Sequence, residues 1–220
     1  MVTTQFYNIF LNSSSISIAV MEEFHDYTMM FLTIIMTFIF IIMFQMMKTK
    51  NSNYNFKENI NLEIIWTILP MIILFLIAYP SLYYLYLFDL SMNPTISMKV
   101  IGAQWYWIYE YFDESGLSYS SYMLSDLDLL KSDNYKLSWR LLETDTRLVI
   151  PYGTEVQCIT TSMDVIHSFS IPELGIKIDA IPGRLNSINF QVTRPGTFFG
   201  QCAEICGTGH SFMPICLEAV

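Results

Sequence analysis

Gly200-Gln201-Cys202-Ala203-Glu204-Ile205-Cys206-Gly207-Thr208-Gly209-His210-Ser211-Phe212-Met213 brings two thiols, an imidazole and a thioether into one short loop, with the spacing C-x3-C-x3-H-x2-M. Thiolate and thioether sulfur are soft donors, and imidazole suits copper. A second histidine, His167, lies upstream in Asp164-Val165-Ile166-His167-Ser168-Phe169. A cysteine loop with one distant His is how a β-barrel builds a copper site: the loop closes the end of the barrel and a neighbouring strand supplies the missing ligand. Three plainer assignments compete. Cys202 and Cys206 form a disulfide, or two Cys and two His hold structural zinc, or one Cys, two His and an axial Met hold a single copper. Zinc has little use for Met213, and a mononuclear site leaves one Cys over. Two thiolates can bridge two metals, so the donor set favours a dinuclear centre.

The residues leading to the loop have the period of strands. Val156 and Cys158 alternate with Glu155 and Gln157, and Ile188, Phe190 and Val192 alternate with Asn189 and Gln191. Turns fall at Pro151-Tyr152-Gly153, Pro182-Gly183 and Pro195-Gly196. This pattern predicts an all-β sandwich or barrel over 91–220. Joined to the loop donors, it predicts a cupredoxin-like Greek-key barrel, with Asn93-Pro94 marking its start. Gln104-Trp105-Tyr106-Trp107-Ile108-Tyr109-Glu110-Tyr111 reads as an aromatic strand with Trp105, Trp107, Tyr109 and Tyr111 on one face. The acidic, Ser-rich stretch 118–138 reads as an exposed excursion between strands.

The N-terminal part has another character. Of 220 residues 53% are hydrophobic and only 14% charged, with a mean hydropathy of +0.39. That excludes an ordinary soluble domain and leaves room for a pair of spans and one modest domain. From Tyr27 to Met47 no residue is charged; as a helix this is ~30 Å, the thickness of a bilayer core. A second span is expected over 64–88, with Pro70 and Pro80 inside it. Trp66 lies near one end and Tyr79, Tyr83, Tyr84 and Tyr86 near the other, as interfacial anchors. The domains are therefore 1–26, a segment on the membrane surface or against a partner, then a helical hairpin over 27–90, then the β domain. Asn12-Ser13-Ser14-Ser15 is expected to be the least structured part of the first. No Lys or Arg precedes the first apolar run, so neither a secretory signal nor an Arg-rich transit peptide is expected. Lys48, Lys50 and Lys57 make the connection between the spans the cationic side, with Asn51-Ser52-Asn53 between them, while Glu22, Glu23 and Asp26 precede the first span. The positive-inside rule puts this connection on the cytoplasm-like side and both termini opposite. The net charge of −9 argues against nucleic acid and suits a basic partner.

Trp66-Thr67-Ile68-Leu69-Pro70, Gln104-Trp105-Tyr106-Trp107, Asp179-Ala180-Ile181-Pro182-Gly183-Arg184, Arg194-Pro195-Gly196 and the cysteine loop together resemble the mitochondrial cytochrome c oxidase subunit II family over nearly the whole chain. The resemblance implies a dicopper centre, copper A, held by His167, Cys202, the Glu204 carbonyl, Cys206, His210 and Met213. It implies that the Glu204 side chain helps bind magnesium at the interface with subunit 1. Trp105 would be the exposed aromatic through which electrons arrive from cytochrome c. Glu110, Asp145 and Asp164 would form an acidic docking patch, and the 8 Lys and Arg against 15 Asp and Glu after the second span fit that charge. Asp179 and Arg184 would face subunit 1. Glu63 is either a solvated helix-start carboxylate or the mouth of a proton channel in the partner.

The resemblance further implies electron transfer to haem a in subunit 1, where oxygen reduction and proton pumping take place. It also implies contact with subunit 3 and accessory subunits, and residence in the mitochondrial inner membrane with the copper domain in the intermembrane space. The chain departs from the family pattern at Ala103, Tyr83 and Phe169 and adds Cys158 and Cys216, read as free core thiols with a bridge between them left open. The rival readings are a copper-free structural subunit of a related terminal oxidase, a membrane-anchored copper or zinc carrier, and a bacterial periplasmic oxidase subunit.

Overall fold

A computed structural model of the chain describes residues 12–50, 57–88, 93–112, 116–131 and 139–220. It divides into a β unit, comprising 91–220 and the N-terminal residues up to Ala19, and a helical unit, Val20–Leu90.

The helical unit is made by α1 (Ile16–Lys48) and α2 (Ile60–Phe88). Both are long and apolar enough to cross a membrane, with windows of mean hydropathy 2.3. Their Ile, Leu, Met and Phe side chains point outward, as lipid-facing residues do. Asn59 caps α2 by accepting the Leu62 N–H on Oδ1 at 3.1 Å, and Glu63 follows in the first turn, where a carboxylate suits the helix dipole. Lys48 ends α1 over the Phe44 ring, 4.2 Å from its centroid, as a cation suits a C-terminus. Tyr27 donates to the Leu76 carbonyl at 3.0 Å, and the Phe24 and Tyr84 rings meet edge to face. The Asn51-Ser52-Asn53 segment and Asp89 lie outside the described residues.

The β unit has two five-stranded sheets. The first contains β1 (Ile96–Ala103), β2 (Tyr106–Tyr111), β3 (Ser118–Ser121), β5 (Glu155–Ser162) and β8 (Asn186–Gln191), in the order β3-β2-β1-β5-β8. The second contains β4 (Leu148–Ile150), β6 (His167–Ile171), β7 (Ile176–Ala180), β9 (Gly196–Cys202) and β10 (Pro214–Ala219), in the order β4-β10-β9-β6-β7. β1 lies antiparallel to β2 and parallel to β5, with Gly102 opposite both Trp107 and Ser162. The predicted alternation is clearest in β5, whose residues are buried at every second position. Between the sheets Met98, Val100, Trp107, Tyr109, Phe169, Ile171, Phe198 and Ile215 form the core. One edge is tied by tyrosines: Tyr111 donates to the Val149 carbonyl at 2.6 Å and Tyr119 to the Arg147 carbonyl at 3.1 Å, joining β2 and β3 to β4.

Three local expectations are overturned. Ser14 and Ser15 are buried and bonded: Ser15 Oγ donates to the Leu174 carbonyl at 2.7 Å and accepts the Ile18 N–H, capping α1, while the Thr193 N–H donates to the Ser14 carbonyl. The polar run is thus a helix start docked on the β unit. The stretch 118–138 is only partly an excursion, because Ser118–Ser121 pairs with β2 as a strand and Asp126–Lys131 forms the short helix α3. Residues 132–138 lie outside the described residues. Finally, Trp105 is not on the aromatic strand face. Ala103 pairs with Tyr106, so Gln104 and Trp105 are the two turn residues, joined by a cis peptide bond, and only Trp107 and Tyr109 of that face enter the core.

Candidate metal centre

His167 opens β6 and Cys202 closes β9, two strands paired in the same sheet through Phe169 and Cys202. The chain then loops through Cys206 to a short 3-10 turn, His210–Phe212, before β10 begins. The His210 N–H donates to the Gly207 carbonyl and the Phe212 N–H to the Gly209 carbonyl at 2.8 Å, which sets His210 and Met213 on the inner side of the loop. All the donors converge there. The Cys202 and Cys206 sulfurs are 4.0 Å apart. His167 Nδ1 lies 3.9 Å from Cys202 Sγ, and His210 Nδ1 lies 3.5 Å from Cys206 Sγ. Met213 Sδ is 3.5 Å from Cys206 Sγ, and the Glu204 carbonyl oxygen is 3.3 Å from Cys202 Sγ. His167, Cys202 and Cys206 are buried, their donor atoms all within 4.8 Å of one another. All four cysteines are free thiols, so neither the 202–206 nor the 158–216 disulfide is present.

A surrounding set of hydrogen bonds fixes these donors. Asp164 Oδ1 meets His167 Nε2 at 2.8 Å, which leaves Nδ1 as the nitrogen turned toward sulfur. The other oxygen of Asp164 accepts the Gln104 N–H at 2.7 Å. Gln104 Nε2 donates to the Cys206 carbonyl at 2.8 Å, and Trp107 Nε1 donates to the Met213 carbonyl at 3.2 Å. Ser162 Oγ donates to the Val165 carbonyl, closing the turn that presents Asp164. Gly102 lies beneath the imidazole: a Cβ there would stand 2.8 Å from His167 Cδ2 and 2.9 Å from Cγ, so the ring needs a bare strand under it.

The electrostatics separate the two thiols. Burial raises the Cys202 thiol, but hydrogen bonds from His167 and the Ser168 amide outweigh it and bring it down to about 6. Burial, together with the charge of the adjacent Cys202, pushes the Cys206 thiol up to about 12. One thiolate forms readily and resists a second beside it, so a cation shared by both would stabilise the doubly ionised pair. Burial likewise raises Asp164, yet donors from His167, Val165 and Gln104 hold it below the usual carboxylate range.

The remaining predicted residues fall in different places. Trp105 is 37% exposed and adjoins the loop. Asp164 is committed to His167 and the Gln104 amide. Asp145 Oδ1 accepts the Tyr122 and Thr146 N–H groups, and Tyr122 stacks on Tyr106 beside the Trp105 turn. Glu110 lies far along β2 from that turn and pairs with Lys99 at 3.1 Å. Asp179 and Arg184 are exposed. Asp179 precedes Ala180, the residue paired with His167, so this segment borders the centre. The Glu204 side chain points outward and is exposed. Glu63 belongs to the helical unit. Sequence reasoning missed Gly102, the Gln104 side chain, the Trp107 indole N–H and the bond from Asp164 to His167. Only the last had a local signal, the D-x-x-H spacing.

Comparison with known proteins shows the family. Residues 96–220 match the family "Cytochrome C oxidase subunit II, periplasmic domain", and residues 2–84 match the corresponding transmembrane domain family. The chain is 48% identical to cytochrome c oxidase subunit 2 of Apis mellifera ligustica, over 99% of this chain and 93% of that one. It is 47% identical to that of Aedes aegypti, over 95% and 90%. Among solved structures it is similar to the periplasmic domain of subunit II of cytochrome oxidase from Bradyrhizobium japonicum. That similarity has a TM-score of 0.53 and 38% identity, and covers 60% of this chain and 88% of that one.

Proposed function

Because the chain belongs to the cytochrome c oxidase subunit II family, we propose that it accepts single electrons from cytochrome c at a dinuclear copper centre and passes them to haem a in subunit 1. It is a subunit of an oxidoreductase complex, and the family's copper A fits the donors found here. The observation that carries the dinuclear reading is the pair of sulfurs 4.0 Å apart with one imidazole nitrogen beside each. His167, Cys202, the Glu204 carbonyl, Cys206, His210 and Met213 would hold two coppers. When bound, the coppers would supply a one-electron couple. The protein keeps the donors still. Asp164 fixes the His167 tautomer, Gln104 and Trp107 hold the loop carbonyls, and the buried sulfurs exclude water.

Trp105, exposed beside the loop, is the point of electron uptake, and the acidic surface including Asp145 and Asp164 steers a basic partner. Glu110 contributes less, since Lys99 already neutralises it. The outward Glu204 carboxylate is a hard ligand suited to magnesium shared with subunit 1, and Asp179 and Arg184 border the same side. The two apolar helices anchor the chain in the mitochondrial inner membrane, with the β unit and both termini in the intermembrane space and subunits 1 and 3 and accessory subunits as neighbours. Glu63 stands at the matrix end of α2, as a proton-channel mouth would. Two coppers per chain, with hyperfine coupling spread over both nuclei in the electron spin resonance spectrum of the purified oxidase, is the expected result. One copper with single-nucleus coupling, or zinc held in preference, would overturn the dinuclear reading.

A further inference from the structure

The Trp105 indole packs against the cysteine loop at both of its inner glycines. A Cβ at Gly209 would collide first with Cδ2 and Cγ of Trp105 and stand 2.8 Å from Cε3, and one at Gly207 would stand 3.2 Å from Cζ2 and 3.3 Å from Nε1 of the same ring. The ring therefore spans the backbone from the residue after Cys206 to the residue before His210. The two glycines differ in what they require. Gly207 has φ +123°, a conformation that L side chains rarely adopt. Gly209 has φ −89° and ψ 14°, the bridge region that non-glycine residues occupy at the third position of type I turns. The backbone does not need a glycine at 209; the indole does. The Gly209 carbonyl also accepts the Phe212 N–H and so begins the turn that carries His210.

We propose that Gly209 is a positioning residue for electron uptake: its missing side chain seats the Trp105 indole in van der Waals contact with the backbone between two metal-ligand positions. Gln104 holds the other side of the seat through its bond to the Cys206 carbonyl at 2.8 Å. The inference rests on the reading of Trp105 as the residue that receives the electron. The three atoms nearest a methyl group at 209 all belong to Trp105, so the methyl lifts the ring off the loop. A displacement of about 1 Å at a reacting pair can slow a step by up to ~100-fold, and the expected loss here is about tenfold.

The test uses the assembled oxidase carrying Gly209→Ala, Trp105→Phe or both, with electron transfer from reduced cytochrome c followed by flash photolysis. Gly209→Ala should slow transfer about tenfold with copper content, spin resonance spectrum and KM for cytochrome c unchanged. In the Trp105→Phe background it should add no further slowing, as expected when one residue acts through the other. A readout that needs no copper is hydroxyl-radical labelling of the metal-free full chain, where Trp105 should become more reactive in Gly209→Ala. If Trp105→Phe slows transfer and Gly209→Ala does not, the seat is refuted while the uptake reading stands. If Trp105→Phe leaves the rate unchanged, the uptake reading fails and the seat with it. Loss of copper from Gly209→Ala, or unchanged labelling of Trp105, would assign the glycine to the loop itself and overturn the proposal.

Discussion

Asp164 and His167 form one functional pair: the carboxylate Oδ1 meets the imidazole Nε2 at 2.8 Å, while Nδ1 of the same ring faces Cys202. The carboxylate thus decides which nitrogen is offered to a metal. Asp164→Asn keeps the size but loses the charge. We expect copper affinity to fall 10- to 100-fold, the range for loss of such outer partners, with the fold retained. Competition titration against a copper chelator measures it, and an unchanged affinity would show that the pair is incidental.

Gly102→Ala should be more disruptive than its size suggests. The new methyl group meets the His167 ring at 2.8–2.9 Å and its Cβ at 3.0 Å, and neither β1 nor β6 can retreat from the paired sheets. A cost of about 1–3 kcal/mol from overpacking is expected, together with a changed copper absorption spectrum. Thermal unfolding and visible spectra of the variant test both.

The four thiols should react very unequally in the metal-free chain. Cys202, at about 6, is mostly thiolate at pH 7.5, whereas burial pushes Cys158 and Cys216 up to about 12. Iodoacetamide at that pH, followed by peptide mass spectrometry, should label Cys202 first and leave Cys158 and Cys216 unmodified until the protein unfolds.

The same two buried thiols set an alkaline limit. Their folded values are raised above the ordinary 9.0, so the stability they contribute is fully present below about pH 9. It is lost as pH rises toward about 12, where the unfolded chain ionises and the folded one does not. Cys158→Ala should flatten the decline of melting temperature between pH 9 and 11; an identical slope would refute the assignment.

Arg147→Met should weaken the β unit away from the metal. Glu143 has a side chain only 7% exposed and pairs with Arg147 at 3.1 Å. Removing the cation leaves a buried carboxylate whose remaining partner is the weak Cys216 thiol donor at 4.0 Å. Because Arg147 is itself 38% exposed, solvent screens part of the loss. We expect about 1–3 kcal/mol, less than for a wholly buried pair. Denaturant unfolding followed by near-ultraviolet circular dichroism gives the value, and copper content should stay the same.

The sequence was legible wherever one residue type or one period carries the meaning. The cysteine loop named its own donors, and β5 showed its alternation. The charge-free run marked α1, although the helix begins earlier than the apolar stretch because Ser15 caps it. The contributions of Gly102, Gln104 and Trp107 were not legible. Each acts across strands on a residue distant in the chain, and a bare strand position or a backbone carbonyl leaves no mark in composition. Trp105 was placed on the wrong face because a two-residue turn interrupts the alternation that a continuous strand would keep.

The parallel pairing of β1 with β5 places Gly102 opposite Ser162, so both strands leave the sheet at the same level. Gln104 follows one exit and Asp164 follows the other, which is why a residue pair 60 positions apart can meet at 2.7 Å. The centre is therefore a gauge of sheet register. A slip of one residue between these strands would turn every side chain to the opposite face and part Asp164 from Gln104, however intact the cysteine loop remained. Insertions between Gly102 and Trp107 should thus not be tolerated.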